Sequence, residues 1–325
     1  MRRLMAILIA VFSITLLGYS LYIIDKSFRP DFQLRIGINP WPGYEFLYLA
    51  AQKGLFAQEG LNVRMVEFSS LQDVRQAFER GQIDAMCSTL VELIQAYNNS
   101  GRKLKIVLVT DYSNGGDVIL ARAPIKSLSD LKGAKVGVEP LSVGEVVLAR
   151  ALTKVGLKYD DVMPLQTAAM DMEKLMQKGT IDAAITYPPF SVSIEKHSNV
   201  SRIFDTSHIP NEIIDVLSID ESLLEKDPKI VPIIRRVWSR ALSLAKNDEE
   251  EAYRIMSERE KISVGEFSEA LETIHVLTIE EQKILFDPEG PLESDIAFTA
   301  RVLSETGNNP LLIAPSELIF RSSAN

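Results

Sequence analysis

Six carboxylates, Glu45, Asp111, Asp117, Glu139, Glu145 and Asp215, fall in or beside short loops that contain no lysine or arginine. The same loops and the adjoining strand ends hold Trp41, Tyr44, Ser88, Thr89, Asn114, Ser142, Thr186 and Tyr187. Aromatic rings, hydroxyls and unbalanced acids suit the grip of a small molecule that donates hydrogen bonds or carries positive charge. They do not suit covalent chemistry. The chain has no Gly-x-Ser-x-Gly elbow, phosphate-binding Walker loop or Gly-x-Gly-x-x-Gly run, and His197, His208 and His275 lack metal-ligand spacing. No catalytic residue, cofactor or metal is expected, and an enzyme on the same scaffold is the weaker alternative.

Trp41-Pro42-Gly43-Tyr44-Glu45 precedes an apolar helix, whose first N–H groups are free to bind. Trp41 and Tyr44 either face a ligand or pack on their own lobe. Leu141-Ser142-Val143-Gly144 leads into a second helix in the same manner, and Ser142 bonds the ligand or caps that helix. Ser88 and Thr89 end one strand, and capping the helix Leu90 to Asn98 is the commoner use of such residues. Thr186 and Tyr187 end another strand, where Pro188-Pro189 holds Tyr187 extended. The run Asp111 to Asp117 is a polar, Gly-rich turn in which Asn114 and Asp117 face ligand or solvent. Cys87 reads as a small buried residue, and Asp84 and Asp182 as matched structural residues. Helix N-termini can hold an oxyanion unaided, but uncompensated carboxylates make that costly. The expected ligand is therefore cationic, zwitterionic or a nitrogen-rich neutral ring, unless half of these acids point to solvent.

The elements that position these loops come from an internal repeat with an offset near one hundred. Gly37-Ile38-Asn39-Pro40 recurs as Gly137-Val138-Glu139-Pro140, and Gly81-Gln82-Ile83-Asp84-Ala85 as Gly179-Thr180-Ile181-Asp182-Ala183. Each copy reads strand, loop, helix, strand, helix, strand, which predicts an α/β fold of two mainly parallel, doubly wound sheets. In the first copy the strands are 34–38, 63–68 and 83–87, with helices over 45–57 and 70–79. Ligands bind beyond the carboxyl ends of such strands, so two facing copies share one cleft. Asp117-Val118-Ile119-Leu120-Ala121 and Asp215-Val216-Leu217-Ser218-Ile219 read as two crossover strands between the lobes. The expected division is a leader over 1–30, a first lobe over 31–121, a second over 122–214, and a return to the first lobe over 215–325. That return carries a helical C-terminal layer, packed on the first lobe: 230–245 after the Asp227-Pro228 cap, 248–259, and 267–276 after a Ser263–Glu266 capping box.

Composition sets the outer bounds. The 325 residues are 46% hydrophobic and 24% charged, values of a folded chain, and the net charge is -9. Residues 1–30 carry a net +3, which leaves the remainder near -12 and ill suited to nucleic acid. One cysteine excludes an internal disulfide. Arg2 and Arg3 precede Leu4 to Ile24, twenty-one residues without a charge, long enough to span about 30 Å of hydrocarbon. This leader is a cleaved signal or an uncleaved membrane anchor, and either places the body outside the inner membrane, in the periplasm or its equivalent. Tyr19 stands where a lipidated cysteine would be.

Trp41-Pro42-Gly43-Tyr44, Gly54-Leu55-Phe56, Glu59-Gly60-Leu61, Leu128-Ser129-Asp130-Leu131-Lys132-Gly133 and Tyr187-Pro188-Pro189 together resemble the solute-binding proteins of nitrate/sulfonate/taurine-type ABC importers. The resemblance covers about residues 33–275. It implies a two-lobed type II periplasmic-binding-protein fold that closes on a small-molecule ligand and delivers it to a membrane permease. Relatives in this group also bind bicarbonate and thiamine pyrimidine precursors. A monomer is expected, and an anchored ligand sensor is the alternative role. The site set so implied is Trp41, Tyr44, Glu45, Ser88, Thr89, Asn114, Asp117, Ser142, Val143, Gly144, Thr186, Tyr187 and Asp215.

Overall fold

Short apolar runs, helical periodicity and glycines at 43, 54, 60, 81 and 101 produce β1 (Leu34–Ile38), α1 (Glu45–Gln52), α2 (Leu55–Gln58), β2 (Val63–Glu67), α3 (Leu71–Glu79), β3 (Ala85–Thr89), α4 (Leu90–Ser100) and β4 (Leu104–Ser113). These come from a computed structural model that describes residues 33–308 and 310–321. The leader lies outside the described residues, and every element belongs to one compact unit beginning at Leu34. The helix expected over 45–57 is two helices, because Gly54 adopts a left-handed φ of 67° between them. The third strand begins two residues later than expected and runs to Thr89.

The second copy supplies β5 (Val118–Arg122), β6 (Lys135–Val138), α5 (Val143–Thr153), β7 (Met163–Gln166), α6 (Ala169–Gln177), β8 (Ala183–Thr186), α7 (Phe190–His197) and β9 (Val200–Asp205). The chain then returns through β10 (Ile214–Asp220), α8 (Glu221–Lys226), α9 (Ile230–Asn247), α10 (Glu249–Glu260), α11 (Val264–Leu271), β11 (Ile274–Val276), α12 (Ile279–Leu285) and α13 (Leu292–Glu305). The first sheet has the order β11-β4-β10-β3-β1-β2, and the second β7-β6-β8-β5-β9. The series β2-β1-β3-β10 and β7-β6-β8-β5 match strand for strand. In each, three strands are parallel and the fourth is antiparallel. Side-chain packing repeats as well. Gly37 leaves room for Ile83, and Gly137 for Ile181, so each glycine admits the isoleucine of the matched Gly-x-Ile-Asp segment.

β5 pairs with β8 and β9 along its length and β10 with β3 and β4, so neither strand is shared between lobes. The chain changes lobe at residues 114–117 and again at 206–213. This puts the first boundary earlier than the expected 121/122. The two crossings are tied together: Ser113 Oγ lies 2.7 Å from Thr206 Oγ1, which also accepts the Gly115 N–H at 2.8 Å.

The C-terminal layer is anchored by aromatics. Trp238 of α9 meets Phe46 of α1 edge-on at 5.7 Å and donates its indole N–H to the Leu277 carbonyl at 2.8 Å. The capping box at Ser263 and Glu266 is present. The helix expected over 267–276 stops at Leu271, since β-branched Ile274 and Val276 pair with β4 instead. The layer is also not confined to the first lobe. Phe298 of α13 receives the Arg150 guanidinium at 5.4 Å, and Asn308 bonds Glu145 at 2.6 Å and Gln95 at 3.1 Å, touching both lobes.

Candidate functional site

The strand ends of both sheets converge on a small cavity. Asn39, Trp41, Tyr44, Leu71, Thr89, Asp117 and Asp215 line it from the first lobe and the crossing, Val143 and Tyr187 from the second. Its free volume is about 10 Å³, scarcely the room of one water, so the lobes are closed on each other. Tyr187 partitions the cleft: its ring meets Trp41 edge-on at 6.1 Å inside and Phe190 at 5.6 Å outside. Beyond Phe190 lies an outer chamber of about 450 Å³, walled by Phe68, Met170, Phe190 and Ile262 and bordered by Lys196, Arg259 and Lys261. Lys196 crosses its rim to Glu266 at 3.0 Å.

Each wall is built around carboxylates. Asp111 of β4 accepts the Trp41 indole N–H at 3.0 Å, and Asp215 of β10 accepts the Tyr44 hydroxyl. Gly43 is required beside them, because a Cβ there would overlap the Asp111 carboxylate. In the second lobe Glu139 accepts the Tyr187 hydroxyl at 3.0 Å. Asp111, Asp117, Glu139 and Asp215 are all buried, and each keeps one carboxylate oxygen without a donor. Burial, with Glu92 nearby, pushes Asp117 up to about 7, and burial opposed by Tyr187 puts Glu139 at about 7. Burial raises the Tyr44 hydroxyl and the Cys87 thiol too, so Cys87 is an inert core residue.

At α5 the helix N-terminus, where an oxyanion would bind, already serves one of the protein's own acids. The Val143 N–H at the start of α5 donates to Glu92 Oε1 at 2.9 Å across the lobe interface. Glu92 Oε2 meanwhile accepts from the Thr89 backbone at 3.2 Å and hydroxyl at 2.5 Å, so one carboxylate caps α4 and closes the cleft together. At α1 the first-turn acid is Glu45, buried against Arg259 of α10. Burial raises Glu45 while Arg259 draws it back down.

Seven of the thirteen site residues expected from sequence line the cavity: Trp41, Tyr44, Thr89, Asp117, Val143, Tyr187 and Asp215. Thr89 also caps α4 by accepting the Val91 N–H at 3.1 Å. The other six stand elsewhere. Glu45 is committed to Arg259, Asn114 is exposed, and Gly144 faces Val138 and Ile185 within the second lobe. Ser88, Ser142 and Thr186 are buried with hydroxyls that have no partner, and Ser142 makes no side-chain cap. Asp84 and Asp182 have matched structural roles, accepting the Arg35 and Lys135 N–H groups at 2.9 Å. Sequence reading missed Asn39, Leu71, Glu92 and Arg259. Only Glu92 carried a local signal, the Thr-x-x-Glu spacing of a capping box.

Comparison with known proteins agrees with this architecture. The chain is 28% identical over 165 residues to a putative binding protein of Brucella abortus, covering 50% of each chain. It is 23% identical over 257 residues to the formylaminopyrimidine-binding protein of Halalkalibacterium halodurans, covering 76% of each. The chain thus spans about half the length of the Brucella relatives it matches. Its fold is that of the periplasmic aliphatic sulphonate binding protein of Escherichia coli, with a TM-score of 0.73 at 21% identity over 89% of this chain and 92% of that one. Among the described residues no helix is long and apolar enough to cross a membrane. The family model described as NMT1/THI5 like matches residues 41–252, about two thirds of the chain, and the protein belongs to that family.

Proposed function

We propose that the protein is the extracytoplasmic solute-binding component of an ABC importer and that its ligand is a small cation, zwitterion or nitrogen-rich ring. The observation that carries the ligand class is the cavity wall. Asp117 and Asp215 line it with unpartnered oxygens, while neither lysine nor arginine is among its lining residues. A ligand N–H or ammonium group supplies the missing donors, and desolvated carboxylates reward it strongly. An oxyanion would face acids at both helix N-termini. The formylaminopyrimidine named for one relative fits this chemistry better than the sulphonate named for another.

Capture follows from closure. With about 10 Å³ free between closed lobes, a ligand enters through an open form and makes contacts to both lobes on closing. Binding shifts the population by that difference in contact energy. The permease then distinguishes closed from open, and no chemistry on the ligand is needed. The apolar leader supports a body held outside the inner membrane, released or tethered, and the mass of the mature N-terminus distinguishes the two. A thermal-shift screen against amines, aminopyrimidines, sulfonates and carboxylates tests the reading. Stabilisation by amines or aminopyrimidines is expected, and stabilisation by sulfonates alone would overturn the ligand class. Unimpaired uptake of the identified ligand after gene deletion would overturn the importer role.

A further inference from the structure

We propose that Asp111 and Asp215 hold one proton between them in the ligand-free cleft and release it to solvent when a cation docks against Asp215, making capture a proton-for-cation exchange. The exchange half rests on the cationic reading above, whereas the shared proton rests on strand geometry alone.

The two aspartates are direct partners across the antiparallel β4–β10 ladder, and both carboxyls are buried there side by side. Each has spent one oxygen: Asp111 Oδ1 accepts from Trp41 and Asp215 Oδ1 from Tyr44. The remaining Oδ2 atoms are buried with no hydrogen-bond partner, and the one hydroxyl beside Asp111, that of Thr110, is likewise unpartnered. Two ionised carboxylates side by side in a buried site repel strongly, and a single proton between them satisfies both. The groups packed directly around the pair include no cation, and Arg259, whose charge reaches Cys87, is taken up by Glu45. The packed groups are Asp117 on the crossing, Glu92 on α4, Cys87 on β3, Tyr44 at the start of α1 and Thr110 on β4. Burial raises both carboxyls above the ordinary range, and the neighbouring acids add to it.

Only Asp215 reaches the cavity, with Asp111 behind it. A cation at Asp215 replaces the proton as counter-charge: the shared O–H bond breaks, the proton passes to buffer, and the ligand's N–H takes up the freed oxygen.

Infrared spectroscopy of the ligand-free protein reads the shared proton as a carboxylic-acid carbonyl band. At neutral pH, Asp111→Asn and Asp215→Asn are each expected to remove one and the same component, and the double variant to remove no more. The amide of either asparagine can donate to the remaining carboxylate, so the fold is retained. Losses that add in the double variant, or no loss at all, would overturn the shared proton, as would failure of the wild-type band to fade on alkaline titration. Calorimetry with benzylamine in phosphate and in Tris then counts the exchange. About one proton released by the wild type and none by Asp111→Asn is expected, and none released by the wild type overturns it. Absence of any benzylamine heat would count against the cationic reading, while the infrared result still decides the aspartate pair.

Discussion

The two lobes repeat one strand plan but bring different things to the cleft. The loop before α1 in the first lobe carries no charge itself but is packed tightly on two strand acids, with Gly43 pressed on Asp111 and Tyr44 on Asp215. The matching loop before α5 in the second lobe opens on an acid of its own, Glu139, which is bonded to Tyr187 rather than to the loop's glycine or aromatic. Its Val143 receives Glu92 from across the interface, and Gly144 leans only on Val138 and Ile185. More of the cavity lining comes from the first lobe and the crossing, while the second lobe brings Val143 and Tyr187, with Glu139 behind the tyrosine. The repeat gives two equivalent helix N-termini: that of α5 donates to Glu92, and that of α1 carries Glu45, held by Arg259, in its first turn.

Substitutions at the matched loops break this comparison most sharply. Gly43→Ala is expected to cost about 3 kcal/mol, since Asp111 must move within a packed wall, whereas Gly144→Ala costs about 1 kcal/mol, read from denaturant midpoints. Equal costs would erase the distinction between the loops. Asp117→Asn is expected to weaken binding of a cationic ligand on the order of 100-fold by calorimetry, because a desolvated charge pair is lost.

The same variant sharpens the comparison through pH. Asp117 and Glu139 stand at about 7 when folded, against about 4 when unfolded. Between those values the folded chain holds protons that the unfolded chain has released, so stability falls as pH rises through about 4 to 7 and levels off above. The ligand-free protein should therefore melt several degrees higher at pH 5 than at pH 8. Asp117→Asn should flatten that slope while raising stability at pH 8, and an unchanged slope would exclude Asp117 as a contributor. Glu92→Gln, which weakens the bond to Val143, is expected to lower closure by about 1 kcal/mol and to raise affinity for methanesulfonate. At the exposed rim, Lys196→Ala should change ligand affinity by less than about 0.5 kcal/mol.

How much of this was legible in sequence depends on the range of each interaction. The repeat, the strand order of each copy and the capping boxes are local patterns, and they appear in the structure within a few residues. The crossings were misplaced because β-rich character marks a strand without saying which sheet it joins, and β5 and β10 each sit wholly in one. The helix expected to run on to Val276 failed where β4 offered an unpaired edge. At the site, loop residues at strand ends could be found because fold class dictates where strand ends point. Arg259, which neutralises Glu45 from 214 residues away, could not. Nor could the facing of Asp111 and Asp215, which depends on β10 returning beside β4.

The central claim is that the cleft selects positive or nitrogen-donor ligands over oxyanions. Isothermal titration of the wild-type protein at pH 7.5, with benzylamine and 4-aminopyrimidine in one series and methanesulfonate, nitrate and sulfate in the other, tests it most directly. Saturable binding in the first series with none in the second is the predicted result. Tight binding of any of the three oxyanions, with both nitrogen compounds inert, would contradict it.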